Sequence, residues 1–324
     1  MKYAGILAFP FLFSSLAHAG VAEKYHGSVS AGYAYAEADD VTSDSWRGDL
    51  RWYPKGIVLN PNLPAFEIDQ LNPGSYVSAG IADLSVDAGD AGLSTTTQSL
   101  GGRLVLWDRR LFLSGEIGDI SGDGDTVAGD VEAEGDATLL SVGVRLGKLI
   151  TSFTHSEVST DTRAFVGTVQ PTFYLVGYAY SQYTVINTEQ TENSIGLSWV
   201  DRTGRGRVYL IEANLYQQRE DATASSELIE TYTDPVTGAV DDDELYSATE
   251  LGRTEKDYLG MDVSVTYYPQ RDFGITAGWS RLPQTAPQLS VGASVFVAER
   301  FVLSPEVAFG EDSYELTLDG EIRF

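Results

Sequence analysis

The sequence has no cysteine, two methionines and three histidines in 324 residues. Without cysteine there is no disulfide framework, no thiolate metal site and no cysteine nucleophile, and the absence is compatible with an oxidising compartment. Basic residues are scarce as well: 21 Lys plus Arg stand against 47 Asp plus Glu, a formal charge of -26. That excess of acid argues against nucleic acid or an anionic membrane surface as partner and favours a cation or a cationic surface. Proline is low at 11. After the N-terminal stretch no apolar run approaches the roughly 20 residues that a spanning helix needs. Phosphate-loop, dinucleotide and zinc-ligand spacings are all missing, and no cofactor is expected.

What is present begins with "MKYAGILAFPFLFSSLAHAG": Lys2, an apolar stretch from Ile6 to Leu16, and Ala17-His18-Ala19 as a small-x-small cleavage signal. This predicts export with residues 1–19 as a cleaved signal peptide and residues 20–324 as one mature domain, because no Pro-rich or Ser-rich linker divides the rest.

The mature chain alternates. In "ATLLSVGVRL" Thr138, Leu140, Val142, Val144 and Leu146 oppose Leu139, Ser141, Gly143 and Arg145; in "YLGMDVSVTYY" Leu259, Met261, Val263, Val265 and Tyr267 oppose Tyr258, Gly260, Asp262, Ser264 and Thr266. Two further segments leave Glu212 opposite Ile211 and Ala213, and Phe296 with Ser290, Gly292 and Ser294 opposite Val291, Val295 and Val297. A period of two makes these strands. A soluble sandwich also alternates, but its wet face carries long Lys and Glu side chains freely. Crowded Gly, Ser and Thr with sparse charges suit the inside of a closed, water-filled barrel. Aromatics gather at segment ends, among them Trp46, Trp52, Trp107, Trp199, Tyr267, Trp279, Phe309 and Phe324, as interfacial girdles do.

Tight connections such as 107–111, 146–150, 169–173, 201–206, 268–273 and 297–301 alternate with the loose polar stretches 119–136 and 218–256. The fold class expected is therefore an all-β, antiparallel, up-and-down transmembrane barrel of about sixteen strands, with about fourteen as the alternative count. Among the sixteen are 149–157, 162–169, 172–182 and 192–200 as separate strands. The stretch 53–74 fits poorly, being long yet on the short-turn side.

The last segment, "SYELTLDGEIRF", places Tyr314, Leu316, Leu318, Ile322 and Phe324 on one face and Glu315, Thr317, Asp319, Glu321 and Arg323 on the other, with Gly320 interrupting. Through this ending, the exported precursor and the amphipathic strands, the chain resembles the general diffusion porins of Gram-negative bacteria. Residues 63–85 also resemble a stretch after the second strand of porins from marine gamma-proteobacteria. The resemblance implies a cell outer-membrane location, assembly through the barrel-assembly machinery that reads Tyr314, Leu316, Leu318, Ile322 and Phe324, contact with the lipid bilayer and lipopolysaccharide, and a homotrimer. It implies a water-filled channel for passive diffusion of small hydrophilic solutes. By that likeness the stretch 119–136 is a loop folded into the pore, with Asp119, Asp123, Asp125, Asp130, Glu132, Glu134 and Asp136 facing Arg47, Arg51, Arg103 and Arg145 on the wall. Glu212 and Asp262 also face the lumen, and excess acid raises the local cation concentration.

The second expectation is a closed barrel whose long external loops, 219–256 above all, make it an adhesin, receptor or structural protein. Enzymatic chemistry is not expected: His155 and Ser156 are adjacent, so a strand points them to opposite faces, and only His155 and Glu157 share one. The pair "DGD" at Asp123 to Asp125 lacks the frame of a dedicated calcium loop, so no metal site is assigned.

Overall fold

The computed structural model describes residues 24–38, 41–58, 64, 74–89, 91–126, 129–169, 178–202, 207–233, 240–281, 287–298, 300–311 and 313–324. The expected signal peptide, 1–19, and most of the 53–74 stretch lie outside them. Fourteen strands make the barrel: β1 (Lys24–Ala38), β2 (Val41–Val58), β3 (Tyr76–Ala88), β4 (Ala91–Leu106), β5 (Leu111–Thr126), β6 (Gly129–Leu146), β7 (Leu149–Val169), β8 (Tyr178–Arg202), β9 (Val208–Thr233), β10 (Val240–Gln270), β11 (Phe273–Arg281), β12 (Gln288–Ala298), β13 (Phe301–Phe309) and β14 (Ser313–Arg323). Each pairs antiparallel with its chain neighbours, and β14 pairs with β1 to close the cylinder. Closure matters because it removes both sheet edges, which hydrocarbon would leave without hydrogen-bond partners.

The alternation decides which face looks out. Along β14 the residues opposite Val29, Tyr33 and Tyr35 are Ile322, Leu318 and Leu316, all of the outer row. Exposure follows the same parity around the cylinder: Leu50, Val77, Leu100, Leu104, Ile117, Leu140, Leu197, Leu215 and Leu289 are exposed large apolar residues. Two aromatic levels bound this belt. Trp52, Trp107, Trp199 and Phe324 mark the end that carries both termini, where Tyr209 stacks on Tyr267 at 4.8 Å. Trp46, Tyr35 and Tyr314 mark the other, the two tyrosines lying 6.0 Å apart. Tyr314 and Phe324 are separated by about 33 Å of strand, or about 25 Å along the barrel axis at a tilt of about 40°, which is the apolar height of an outer-membrane barrel.

The strand count is the alternative one, and the reason is local. Residues 149–157 and 162–169 are one strand, β7, and 172–182 and 192–200 belong to one strand, β8, between which pairing runs without a break from Leu149↔Trp199 to Ala164↔Thr184. β7 therefore ends and β8 begins at the end remote from the termini, and the expected tight connection at 169–173 lies, apart from Val169, outside the described residues. Because two strands vanish together, every later turn keeps its side.

Strands β7 to β10 are long, running to 31 residues in β10. On β9 and β10 the outward row changes after Leu215 and Leu259 to Arg219 and Asp221, opposite Asp257 and Glu255, with Arg253 next, so these two strands leave the membrane there. Arg253 forks onto Asp221 with Nε 2.8 Å from Oδ1, Arg219 pairs with Glu255, and Arg163 lies 4.1 Å over the Tyr183 ring and 3.9 Å from Glu227.

Candidate functional site

The inward face starts from small residues, and charges project from it. On the β2 side, Arg47 reaches over Gly32 of β1 to Asp319 of β14, Nη2 to Oδ1 2.9 Å. Only glycine leaves that path open: a Cβ at position 32 would stand 2.1 Å from Asp319 Oδ1 and 3.0 Å from Arg47 Nε. Arg51 and Arg103 both stack on the ring of Tyr76, at 5.3 and 5.5 Å. Arg47, Asp49, Arg51, Ser99, Glu116 and Ser156 line a wall cavity of about 420 Å³. Arg145 stands apart from them, at the terminus-side rim in a hollow with Asp108 and Arg110.

Across the barrel the wall is acidic. Ser198 Oγ donates to Glu212 Oε1 at 3.2 Å. Asp262 accepts from Asn214 Nδ2 at 3.1 Å and from the Tyr216 hydroxyl. Register places Glu212 opposite Ser198 and Ser264, and Asn214 opposite Gly196 and Asp262, so these groups form one patch across β8, β9 and β10. Arg47, Arg51, Arg103, Arg145, Glu212 and Asp262 thus all lie on the inner face, as the alternation implies.

The acidic stretch 119–136 is placed differently. Its residues are the outer ends of β5 and β6, a paired hairpin with Asp119 opposite Asp136, Ser121 opposite Glu134, Asp123 opposite Glu132 and Asp125 opposite Asp130. These positions continue the outward row of Ile117 and Leu140, and they are exposed. Asp119, Asp123, Asp125, Asp130, Glu132, Glu134 and Asp136 therefore look away from the lumen, and the segment is not a loop folded into the pore. Hydrogen bonding explains the difference: the Asp and Gly content that reads as a loop costs a strand little where one side-chain row meets water.

Alternation does not anticipate the terminus-side floor. Tyr25, Tyr53, Ile57, Val208, Leu210, Tyr268, Phe296 and Val302 form one buried cluster, joined by Tyr76 and Val200. They come from β1, β2, β9, β10, β12 and β13, and since β2 and β9 stand on opposite sides of the ring of strands, the cluster spans the barrel interior. Tyr25 and Tyr53 meet edge to face at 5.6 Å and Tyr53 and Tyr76 at 5.7 Å. Arg323, 4% exposed, lies 5.2 Å from the Tyr25 ring and 5.1 Å from the Phe296 ring, its Nη2 2.9 Å from Glu321 Oε2. A register shift between Tyr25 and Gly27 turns Tyr25 and Ile57 inward. One signal for the floor does stand in the sequence, since Phe296 is the lone aromatic on a face otherwise of Ser and Gly.

His155 sits on the outer face, its Nδ1 3.0 Å from Asn193 Oδ1, opposite Leu140. Among the described residues no group of three or more His, Cys, Asp or Glu could hold a metal ion.

No protein-family model matches the chain, and no curated protein does. Its fold is similar to solved barrels. The toluene transporter TodX of Pseudomonas putida aligns with a TM-score of 0.51 at 9% identity over 92% of this chain and 88% of its own. The monoaromatic hydrocarbon channel CymD aligns with a TM-score of 0.51 at 10% identity over 93% and 89%. The ferric preacinetobactin receptor BauA of Acinetobacter baumannii aligns with a TM-score of 0.44 at 12% identity over 90% of this chain, which spans about half, 48%, of that receptor. At these identities the likeness is one of fold: the chain is an antiparallel, closed, fourteen-stranded barrel with the architecture of Gram-negative outer-membrane proteins, in agreement with its apolar outer belt.

Proposed function

We propose that the protein is an outer-membrane channel for passive diffusion of small hydrophilic solutes, with a preference for cations. The observation that carries the reading is the inner face: Ser, Thr and Gly with a charged wall on each side, enclosed by an apolar belt. Water solvates such a lining, and a solute crossing it needs no covalent chemistry. Acidic groups on that face, among them Asp49, Glu116, Glu212, Asp262, Asp319 and Glu321, outnumber the arginines Arg47, Arg51, Arg103, Arg145 and Arg323. Their field raises the local concentration of cations. In this reading the aromatic floor is the narrowest level, and it sets the size limit.

A second reading is a closed barrel that acts through its external sheet. The floor cluster and the length of β9 and β10 favour it. Planar-bilayer recording of the purified protein separates the two. The channel gives stable ohmic steps and a reversal potential on the cation side, and liposomes swell in small sugars. A barrel that neither conducts nor swells liposomes belongs to the second class, and anion preference removes the charge argument.

A further inference from the structure

Charge is not spread evenly over the barrel. At the end remote from the termini the tips of β5 and β6 set carboxylates against each other, Asp123 opposite Glu132 and Asp125 opposite Asp130. At the terminus side the short connections carry cations: Arg109 and Arg110 after β4, Lys148 after β6, Arg271 after β10 and Arg300 after β12. Among the described residues of these connections the acids are Asp108 and Asp272. The chain-wide excess of acid therefore conceals a rim of the opposite sign. Short turns mark the periplasmic end of an outer-membrane barrel, so this rim meets the phosphate level of the periplasmic leaflet. Lys148 is held by Asp201. Among the described residues no carboxylate forms an ion pair with Arg109 or Arg110.

One part of the rim encloses a hollow of about 530 Å³, between the turns that join β4 to β5 and β6 to β7. Leu111, Val144 and Leu146 give it an apolar wall, and Trp107, Arg110 and Arg145 line it beside a single acid, Asp108. Val144 and Leu146 are exposed on the outward row, and Trp107 is 76% exposed. Trp107, Asp108 and Arg109 take φ of 48°, 53° and 67°, the left-handed region that disfavours side chains, bulky ones most. The turn after β6 meets the same demand with Gly147, φ 66°. Tryptophan and arginine standing where glycine would be relaxed strain the turn, and strain of this kind gathers where side chains hold a ligand. Arg109 is also near enough to Arg145 for their like charges to repel, a repulsion that a bound anion relieves.

We infer that this hollow binds an anionic glycerophospholipid of the periplasmic leaflet, with its phosphate on Arg110 and Arg145, Trp107 at the headgroup level and its acyl chains along Leu111, Val144 and the outward row beyond. Each part of the ligand has a counterpart in the hollow. A guanidinium offers a phosphate two parallel N–H donors. The Arg145 amide donates to the Arg110 carbonyl at 2.7 Å, which ties together the two segments that carry these arginines. Three arginines, 109, 110 and 145, stand against the one carboxylate of Asp108, so a phosphoglycerol headgroup is favoured over one that brings its own ammonium. Tryptophan is at home at the membrane interface. A free phosphate or an acidic peptide would use the arginines and leave the apolar wall of Leu111, Val144 and Leu146 without a ligand, whereas acyl chains cover it. The site takes its lipid whether or not the lumen conducts.

The test uses the whole protein in a neutral detergent, titrated with phosphatidylglycerol or with phosphatidylcholine of the same chains, and native mass spectrometry to count the lipids that stay bound. The site predicts a first phosphatidylglycerol that binds at least tenfold more tightly than phosphatidylcholine and that neither soluble glycerol phosphate nor a Glu-rich peptide displaces. Arg109→Gln/Arg110→Gln should weaken that binding about tenfold. Arg300→Gln, a rim arginine on the far side of the ring of strands, should leave it unchanged. Trp107→Gly should weaken it as well while the heat-modifiable gel transition holds or rises, because glycine takes the left-handed turn without strain. The comparison of the two lipids on the unaltered protein stands without any variant. Equal affinity for the two lipids, displacement by glycerol phosphate or by the peptide, an equal loss in Arg300→Gln, or undiminished binding in Trp107→Gly overturns the proposal.

Discussion

Arg47 of β2 and Asp319 of β14 meet across the strand that separates them, Nη2 to Oδ1 2.9 Å above Gly32. The pair ties the first hairpin to the last strand, at the seam where the chain's two ends come together. Since the Arg47 side chain is 61% exposed and that of Asp319 is 32% exposed, the ion pair itself contributes at most about 1 kcal/mol. Gly32→Val does more, because its side chain would displace both partners at once. We expect the heat-modifiable gel transition of Gly32→Val to fall below that of Arg47→Met. An unchanged transition in the valine variant would show that the seam does not depend on this crossing.

The floor predicts coupled effects on stability and conductance. Tyr53→Ala and Phe296→Ala each remove a buried ring, at a cost of about 3–5 kcal/mol. The same truncations widen the narrowest level, so single-channel conductance should rise while the denaturant midpoint falls. A stability loss without any rise in conductance would place the narrowest level elsewhere.

The lumen and the outer hairpin separate by charge neutralisation. Glu212→Gln and Asp262→Asn lie on the inner wall and should shift the reversal potential toward anions. Asp123→Asn and Glu132→Gln lie outward, directly opposite one another, and should leave selectivity unchanged while stabilising the hairpin slightly, since cross-strand like charges repel. Measuring both pairs of variants in the same asymmetric salt gradient decides between a pore-lining and an outward acidic stretch.

The external sheet carries a pH dependence. Arg253 beside Asp221 holds its carboxyl below the ordinary aspartate value. A carboxyl depressed in the folded state stabilises fully above its unfolded value of about 3.9 and loses that contribution as pH falls through the lower folded value. Hydrogen exchange of residues 217–230 should therefore be unchanged from neutral pH down to about 4, relative to intrinsic rates, and then accelerate on further acidification. In Asp221→Asn the protection lost at low pH is already absent at neutral pH.

Much of this architecture is legible in the sequence. Alternation such as that of Thr138 to Leu146 names the face of each residue, because a period of two leaves only two choices. That rule puts Arg47, Arg51, Arg103, Arg145, Glu212 and Asp262 inside. It does not say where a strand stops. Residues 119–126 have the Asp and Gly content of a loop and 217–230 a run of charged and small polar residues, yet they pair, because a β-ladder that has left the membrane tolerates polar side chains on both rows. A short polar stretch such as 169–173 reads alike in the sequence at either end of the barrel, which is why sixteen strands and fourteen both fit. The floor is hidden for another reason: a register shift at Tyr25/Gly27 changes which face the flanking residues take, and no local pattern announces it.

One alternation underlies the whole molecule, apolar rows against lipid and small or charged rows around water. A chain with no cysteine permits a direct measurement by single substitutions. Spin labels at Val142, Leu197 and Val265 should be relaxed by oxygen dissolved in the bilayer and not by an aqueous nickel chelate, and labels at Ser141, Ser198 and Ser264 should show the reverse. Equal accessibility along each strand, or contact of Val142 and Val265 with neither reagent, would contradict it.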